Sequence, residues 1–160
     1  MKPSDNSFAL VTGASSGIGR AIAIELASRG INLLLVSLPG SGLREVQYEI
    51  VSNRAVRCEV FEVDLTESDA AAKLEAWCRR SGYRVRYLVN NAGFGNQMPL
   101  EHSSADLLVA MMNLNNQAMV RITQLFIPYL KQNPISHVMN VGNLATFLPI
   151  PNKSVYAATK

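Results

Sequence analysis

The chain has 160 residues, 48% hydrophobic and 17% charged, with 15 basic and 12 acidic side chains and a net charge of +3. This composition excludes a disordered chain and gives enough length for one well-buried core, so a single domain over residues 1–160 is expected. The basic residues are scattered, which argues against a nucleic-acid partner and leaves a slight bias toward anionic ligands.

Residues 1–6 are polar and no secretory core follows them. No apolar run is long enough to span a membrane, so a cytoplasmic protein without a membrane partner is expected. Phe8-Ala9-Leu10-Val11 reads as a buried strand, and it runs into Thr12-Gly13-Ala14-Ser15-Ser16-Gly17-Ile18-Gly19. The apolar positions Ile18, Ala21, Ile22 and Leu26 then take a helical period, giving strand, Gly-rich turn and helix. In that turn Gly13 permits a tight bend and Gly17 lets the backbone approach a phosphate. Gly19 allows the helix to pack close to the sheet. The helix start offers free N–H groups and the positive end of its dipole to an anion. Gly30 is placed to end this helix.

Residues 31–36 are almost wholly apolar, as in a parallel strand covered on both faces. The end of such a second strand selects the dinucleotide: an acid favours NAD, and a nearby Arg favours NADP. Here Ser37-Leu38-Pro39-Gly40 carries neither, so nothing repels a ribose phosphate and the balance leans to NADP over NAD. Arg20 and Arg44 are candidates for that phosphate, although solvent exposure is the default expectation for each.

Leu43, Val46, Ile50 and Val51 mark a second helix, and residues 56–63 a third strand that runs into Asp64-Leu65. Thr66, with Asp69 three residues on, is expected to N-cap a helix carrying Ala70, Leu74, Trp77 and Cys78. Residues 85–89 form a fourth strand entering Asn90-Asn91-Ala92-Gly93, where Asn side chains can satisfy backbone groups of the sheet and Gly93 allows a ligand close. Residues 104–112 and 114–132 are helical, their methionines read as core, and Pro134 interrupts before a fifth strand at 137–141. Ser154 opens a last helix that brings Tyr156 and Lys160 onto one face. A neighbouring ammonium favours the phenolate, so this Tyr can trade protons. Cys58 and Cys78 fit no CxxC pattern and are expected to be reduced core residues. His102 and His137 lack ligand spacing, so no metal is expected.

Alternating strands and helices predict an α/β doubly wound parallel sheet. In such sheets ligands sit beyond the carboxyl ends of the strands. The Gly-rich turn, Asp64, residues 90–93, Gly142-Asn143 and the Tyr156 segment should therefore gather along one edge.

Taken together, residues 12–19, Asp64, Asn90-Asn91-Ala92-Gly93, Asn115 and Tyr156-x3-Lys160 resemble the short-chain dehydrogenase/reductase family along essentially the whole chain. The resemblance implies a Rossmann-type fold, an NADP or NAD cofactor, and hydride transfer between nicotinamide and a carbonyl or alcohol substrate. It implies Tyr156 as general acid/base and Lys160 as the group that holds the nicotinamide ribose and eases ionisation of the phenol. Asn115 would hold a proton-relay water. Gly13, Ser15, Ser16, Gly17, Ile18, Gly19, Ser37, Asp64, Leu65, Asn90, Ala92 and Gly93 would bind the cofactor, with Asp64 at the adenine and Asn90 beneath the dinucleotide. It also implies assembly into a dimer or tetramer.

Two departures stand out. The family's catalytic Ser position holds Asn143, within Val141-Gly142-Asn143-Leu144, and Thr146 is the nearest hydroxyl. The family's chains also continue past the Lys with further strands, helices and a substrate loop. The sequence is therefore expected to be the front of a longer protein or a truncated product. A chain ending at Lys160 is expected to turn over poorly. The alternative expectation is a dinucleotide-binding protein with little catalysis.

Overall fold

The computed structural model describes residues 7–160, so the polar segment 1–6 lies outside the described residues. The strands are β1 (Ser7–Thr12), β2 (Asn32–Ser37), β3 (Cys58–Glu62), β4 (Arg84–Asn90) and β5 (His137–Asn140). They form one parallel sheet in the order β3-β2-β1-β4-β5. The helices are α1 (Gly17–Ser28), α2 (Leu43–Asn53), α3 (Ala70–Arg80), α4 (Ala105–Met112), α5 (Met119–Lys131) and α6 (Ser154–Thr159). The order reverses beside β1, so the strand ends of β1 and β4 flank a crevice, the usual ligand site of such sheets.

β1 is buried along its whole length, which explains its unbroken apolar run. One core lies under α3 and α5, where Phe8, Leu10, Leu34, Leu74, Leu88 and Phe126 meet. The other lies under α1 and α2, where Ala9, Val11, Leu33, Leu35, Val46 and Ile50 meet. The alternation of β1 between these two sets is the period-2 geometry of a strand. The end of α1 is a Schellman turn: Gly30, at φ +74°, donates to the Ala27 carbonyl at 2.9 Å, and Ile31 N–H reaches the Leu26 carbonyl at 3.1 Å.

Some expectations are corrected. Thr66 does not cap α3. Asp64 Oδ1 accepts from both the Thr66 N–H (2.8 Å) and its hydroxyl (2.7 Å), and this local turn delays the helix to Ala70. β3 is shorter than 56–63, and the two helical runs after β4 are joined by a wide π-helical turn, Asn113–Ala118. Met111 is core, but Met112 is exposed. Cys58 and Cys78 are unbridged and buried.

Candidate active site

Thr12, at the end of β1, anchors the crevice. Its hydroxyl donates to the Val89 carbonyl at 3.3 Å and accepts from the N–H groups of Asn91 and Ala92, both at 3.0 Å. The Asn91 side-chain amide donates to the carbonyls of Thr12 (3.0 Å) and Gly13 (3.1 Å). The Gly-rich turn after β1 and the turn after β4 are thus locked to one another. Space is tight: a methyl on Gly13 would lie 2.8 Å from Asn91 Nδ2, and one on Gly19 would overlap the Gly13 carbonyl. Gly19 therefore serves the turn's own backbone as well as helix packing.

Above these turns opens a cleft of about 540 Å³. Among its lining residues are Gly13, Ser15, Ser16, Gly17, Ile18, Ser37, Asp64, Leu65, Ala92, Gly93, Asn143, Tyr156 and Lys160. The strand-end argument accordingly gathers most of the expected site. Gly19 lies beneath it. Asn90 and Asn115 line a second cavity of about 280 Å³ that shares Leu65, Ala92 and Lys160 with the first. Asn90 Nδ2 donates to Thr123 Oγ1 (2.9 Å) and Asn140 Oδ1 (2.8 Å), while its own Oδ1 is buried without a partner among the described residues. Asn115 Oδ1 accepts from Phe94 N–H at 3.1 Å. Its Nδ2 donates to the Phe94 carbonyl at 3.0 Å and to Thr159 Oγ1 at 2.9 Å. The side chain of Asn115 therefore ties the turn after β4 to α6.

The phosphate-binding expectation has a geometric test at the start of α1. Ser16, at the N-cap, makes no side-chain capping bond, and the first turn holds no acid. A Cβ at Gly17, where φ is +52°, would meet nothing within 4 Å. Uncapped N–H groups therefore border open space, and these residues fit a dinucleotide pyrophosphate. Beside them Ser15 Oγ and Ser37 Oγ form a hydrogen bond of 2.9 Å. The two candidate arginines are exposed, as expected, and each has an acidic partner: Arg20 pairs with Glu49, and Arg44 pairs with Glu62.

At the opposite end, α6 carries Tyr156, and Lys160 follows as its C-cap residue, just past the helix expected to hold both. Burial lowers the Lys160 pKa below the ordinary lysine value, which makes the ammonium a readier proton donor. Lys153 Nζ lies 5.4 Å from the centre of the Tyr156 ring, within cation–π range. Asn143 Oδ1 accepts from Ala145 N–H at 2.9 Å, capping a short 3₁₀ turn. Its NH₂ group makes no bond to the described residues. The Thr146 hydroxyl is turned back to the Asn143 carbonyl at 2.8 Å. The two cysteine thiols are pushed up to about 12, chiefly by burial with a smaller contribution from Glu59 or Glu75, and are inert. Among the described residues no cluster of three metal-ligating side chains occurs, and no helix is long and apolar enough to cross a membrane.

The family model for short chain dehydrogenases matches residues 7–160. The chain belongs to the short-chain dehydrogenase/reductase family. It is similar to the very-long-chain 3-oxoacyl-CoA reductase of Rattus norvegicus, 31% identical over 157 residues, covering 96% of this chain and 50% of the relative. The Homo sapiens protein of that name is 30% identical over 162 residues, covering 99% and 51%. The chain thus spans about half the length of these curated relatives. Among solved family structures, a metagenomic short-chain oxidoreductase in complex with NADP superposes with a TM-score of 0.91 at 32% identity, covering 99% of this chain and 72% of that one. A short-chain dehydrogenase from Sphingobium yanoikuyae in complex with NADPH gives 0.88 at 30% identity, covering 96% and 60%. Both support a Rossmann-type fold for this chain.

The expectation that an Asn of the doublet satisfies backbone groups of the sheet holds for Asn91, whereas sequence reasoning missed Thr12 as an organiser of the crevice, and Gly95. A methyl on Gly95 would overlap the Tyr156 ring. The doublet Asn90-Asn91 was a signal for the turn, but which amide faces which strand is decided only by the pairing of β1 with β4.

Proposed function

We propose that this chain carries the nucleotide-binding and proton-transfer part of an NAD(P)(H)-dependent oxidoreductase that interconverts a carbonyl and an alcohol on a small-molecule substrate. The observation behind this reading is that Tyr156, Lys160 and Asn143 share one cleft with Gly13, Gly17 and Ser37. Residues 13–19 would hold the pyrophosphate, Asp64 and Leu65 the adenine, Asn90, Ala92 and Gly93 the nicotinamide end, and Lys160 its ribose hydroxyls. The bound nucleotide supplies or accepts the hydride at the reacting carbon. Tyr156 gives its phenolic proton to the carbonyl oxygen in reduction and takes it from the alcohol in oxidation. The Lys160 ammonium favours the phenolate. A water near Asn115, in the cavity that also reaches Lys160, would resupply the proton. The NH₂ of Asn143 would donate to the substrate oxygen as charge develops on it.

NADP(H) is the preferred nucleotide in this reading, supported by the absence of an acid at Ser37 and by the NADPH and NADP bound in the two structural relatives. The reductase names of the curated relatives support ketone reduction as the direction to assay. Assembly through α5 belongs to the same reading, supported by exposed Val120 and Ile127. A second reading, nucleotide binding without efficient turnover, draws on Asn143, whose oxygen is committed to Ala145 where the family carries a hydroxyl.

Fluorescence titration with NADPH and NADH, followed by NADPH oxidation against a panel of small ketones, tests both readings. Binding should be abolished in Gly17→Val. Turnover should be lost in Tyr156→Phe with NADPH binding retained. Failure to bind either nucleotide overturns the proposal; binding without turnover in the wild type leaves the second reading.

A further inference from the structure

The acid that the end of β2 lacks stands one strand away. In the parallel register Ser37 pairs with Glu62 of β3, and registered neighbours point to the same face of a sheet. The Ser37 hydroxyl meets Ser15 in the Gly-rich turn and Ser37 lines the cleft, so Glu62 rises on the same face, next to the cleft lining rather than in it. Its carboxylate is held over the β2–α2 loop. Oε1 accepts from Gly40 N–H at 3.3 Å, and Oε2 lies 3.5 Å from Nε of Arg44, in the first turn of α2. The two partners differ in freedom: the Glu62 side chain is 26% exposed and that of Arg44 72%. The other cation on this side, Arg20, is engaged with Glu49 on α2.

Resting on the nucleotide-binding reading above, we propose that the Glu62–Arg44 pair selects the dinucleotide. A single guanidinium contact of 3.5 Å to a partly exposed carboxylate is a weak tie, and the long Arg44 side chain is free to leave it. The 2′-phosphate of NADP(H) is the stronger partner, because its oxygens accept from the planar guanidinium in a bidentate, charge-assisted way. Arg44 turns from Glu62 to that phosphate and screens the carboxylate from it. For NAD(H), Glu62 takes the part of the missing β2 acid and accepts from the ribose hydroxyl. One carboxylate fixed to the loop by Gly40 and one mobile cation thus admit both nucleotides, with preference set by the cation.

Affinities for NADPH and NADH, read by fluorescence titration, test this without any substrate. Arg44→Gln should weaken NADPH by about tenfold or more, the worth of a charge-assisted phosphate contact, and leave NADH within about twofold. Glu62→Gln should weaken NADH and leave NADPH equal or tighter. In the double variant NADPH should recover part of what Arg44→Gln loses, because the exposed carboxylate no longer repels the phosphate. A purely structural role for the pair would shift both nucleotides together. That result, or an NADPH-to-NADH ratio unchanged in Arg44→Gln, overturns the inference while the nucleotide-binding reading stands. A wild-type protein that binds neither nucleotide overturns both.

Discussion

Replacing Gly95 by Ala should disable Tyr156 without touching it. The added methyl carbon would lie 2.8 Å from both Cγ and Cε2 of the Tyr156 ring. Cδ2 lies closer still, and non-bonded carbons settle at about 3.5–4.0 Å, so ring and loop must part by more than roughly 1 Å. The loop has little freedom to give way. Phe94 is held at both its N–H and its carbonyl by Asn115, at 3.1 and 3.0 Å, and Met98 N–H is bonded to the Asn152 carbonyl at 3.2 Å. The ring is therefore the part that moves. A reacting group misplaced by about 1 Å can lose about 10²-fold in rate, which is the fall expected in turnover. Gly95 does not line the cleft, so NADPH affinity should stay within about twofold of wild type. Two measurements check this. The first is NADPH-dependent ketone reduction beside an NADPH titration. The second is the NMR spectrum of ring-labelled protein, whose five tyrosines allow the Tyr156 signal to be assigned by its loss in Tyr156→Phe. That signal should move in Gly95→Ala. An unmoved Tyr156 resonance with unchanged turnover would refute the steric argument; a large loss of NADPH binding would show that the loop had yielded instead.

Asn91→Ala removes the amide bonded to the Thr12 and Gly13 carbonyls. With two hydrogen bonds lost and two acceptors left short of a partner, it should destabilise the fold by about 2–4 kcal/mol in urea unfolding. A loss below about 0.5 kcal/mol would mean that water replaces the amide at no expense. The effects of Asn143 on turnover are to be read in a chain that continues past Lys160: there Asn143→Ala should lower kcat, and it also removes the cap on Ala145, worth about 1 kcal/mol. Asn143→Ser keeps a capping oxygen, restores a hydroxyl and should raise kcat on small carbonyl substrates. Equal kcat in Asn143→Ala and wild type would leave Asn143 as a packing residue of its loop.

The features that were legible in the sequence are those set by neighbours along the chain or by topology. The apolar runs of β1 and β2 announce strands covered on both faces, and Gly30 marks the end of α1 because its left-handed φ is a local demand. The cleft was legible one level higher. Once strands and helices alternate, the ends of parallel strands fall on one edge, and Gly13, Asp64, Gly93 and Asn143 arrive there whatever their side chains do. What escaped depends on partners that only the fold brings near. Thr66 satisfies the sequence rule for an N-cap, yet the Asp64 carboxylate two residues earlier captures both its N–H and its hydroxyl. Arg44 is exposed as the sequence suggests, but its partner Glu62 becomes visible only once β2–β3 register sets that carboxylate beside Ser37. Gly95 carries no left-handed φ and sits in no turn motif, so nothing local asks for glycine. Its reason is the Tyr156 ring, which reaches it only after α4, α5 and β5 have been placed. Asn91 is expected from the sequence to satisfy backbone groups of the sheet, but that its amide serves β1 from the end of β4 is set by the fold. A motif therefore locates the chemistry, whereas the residues that fix its geometry are chosen by contacts between distant segments. Those residues are where a substitution outside every motif should still silence the site.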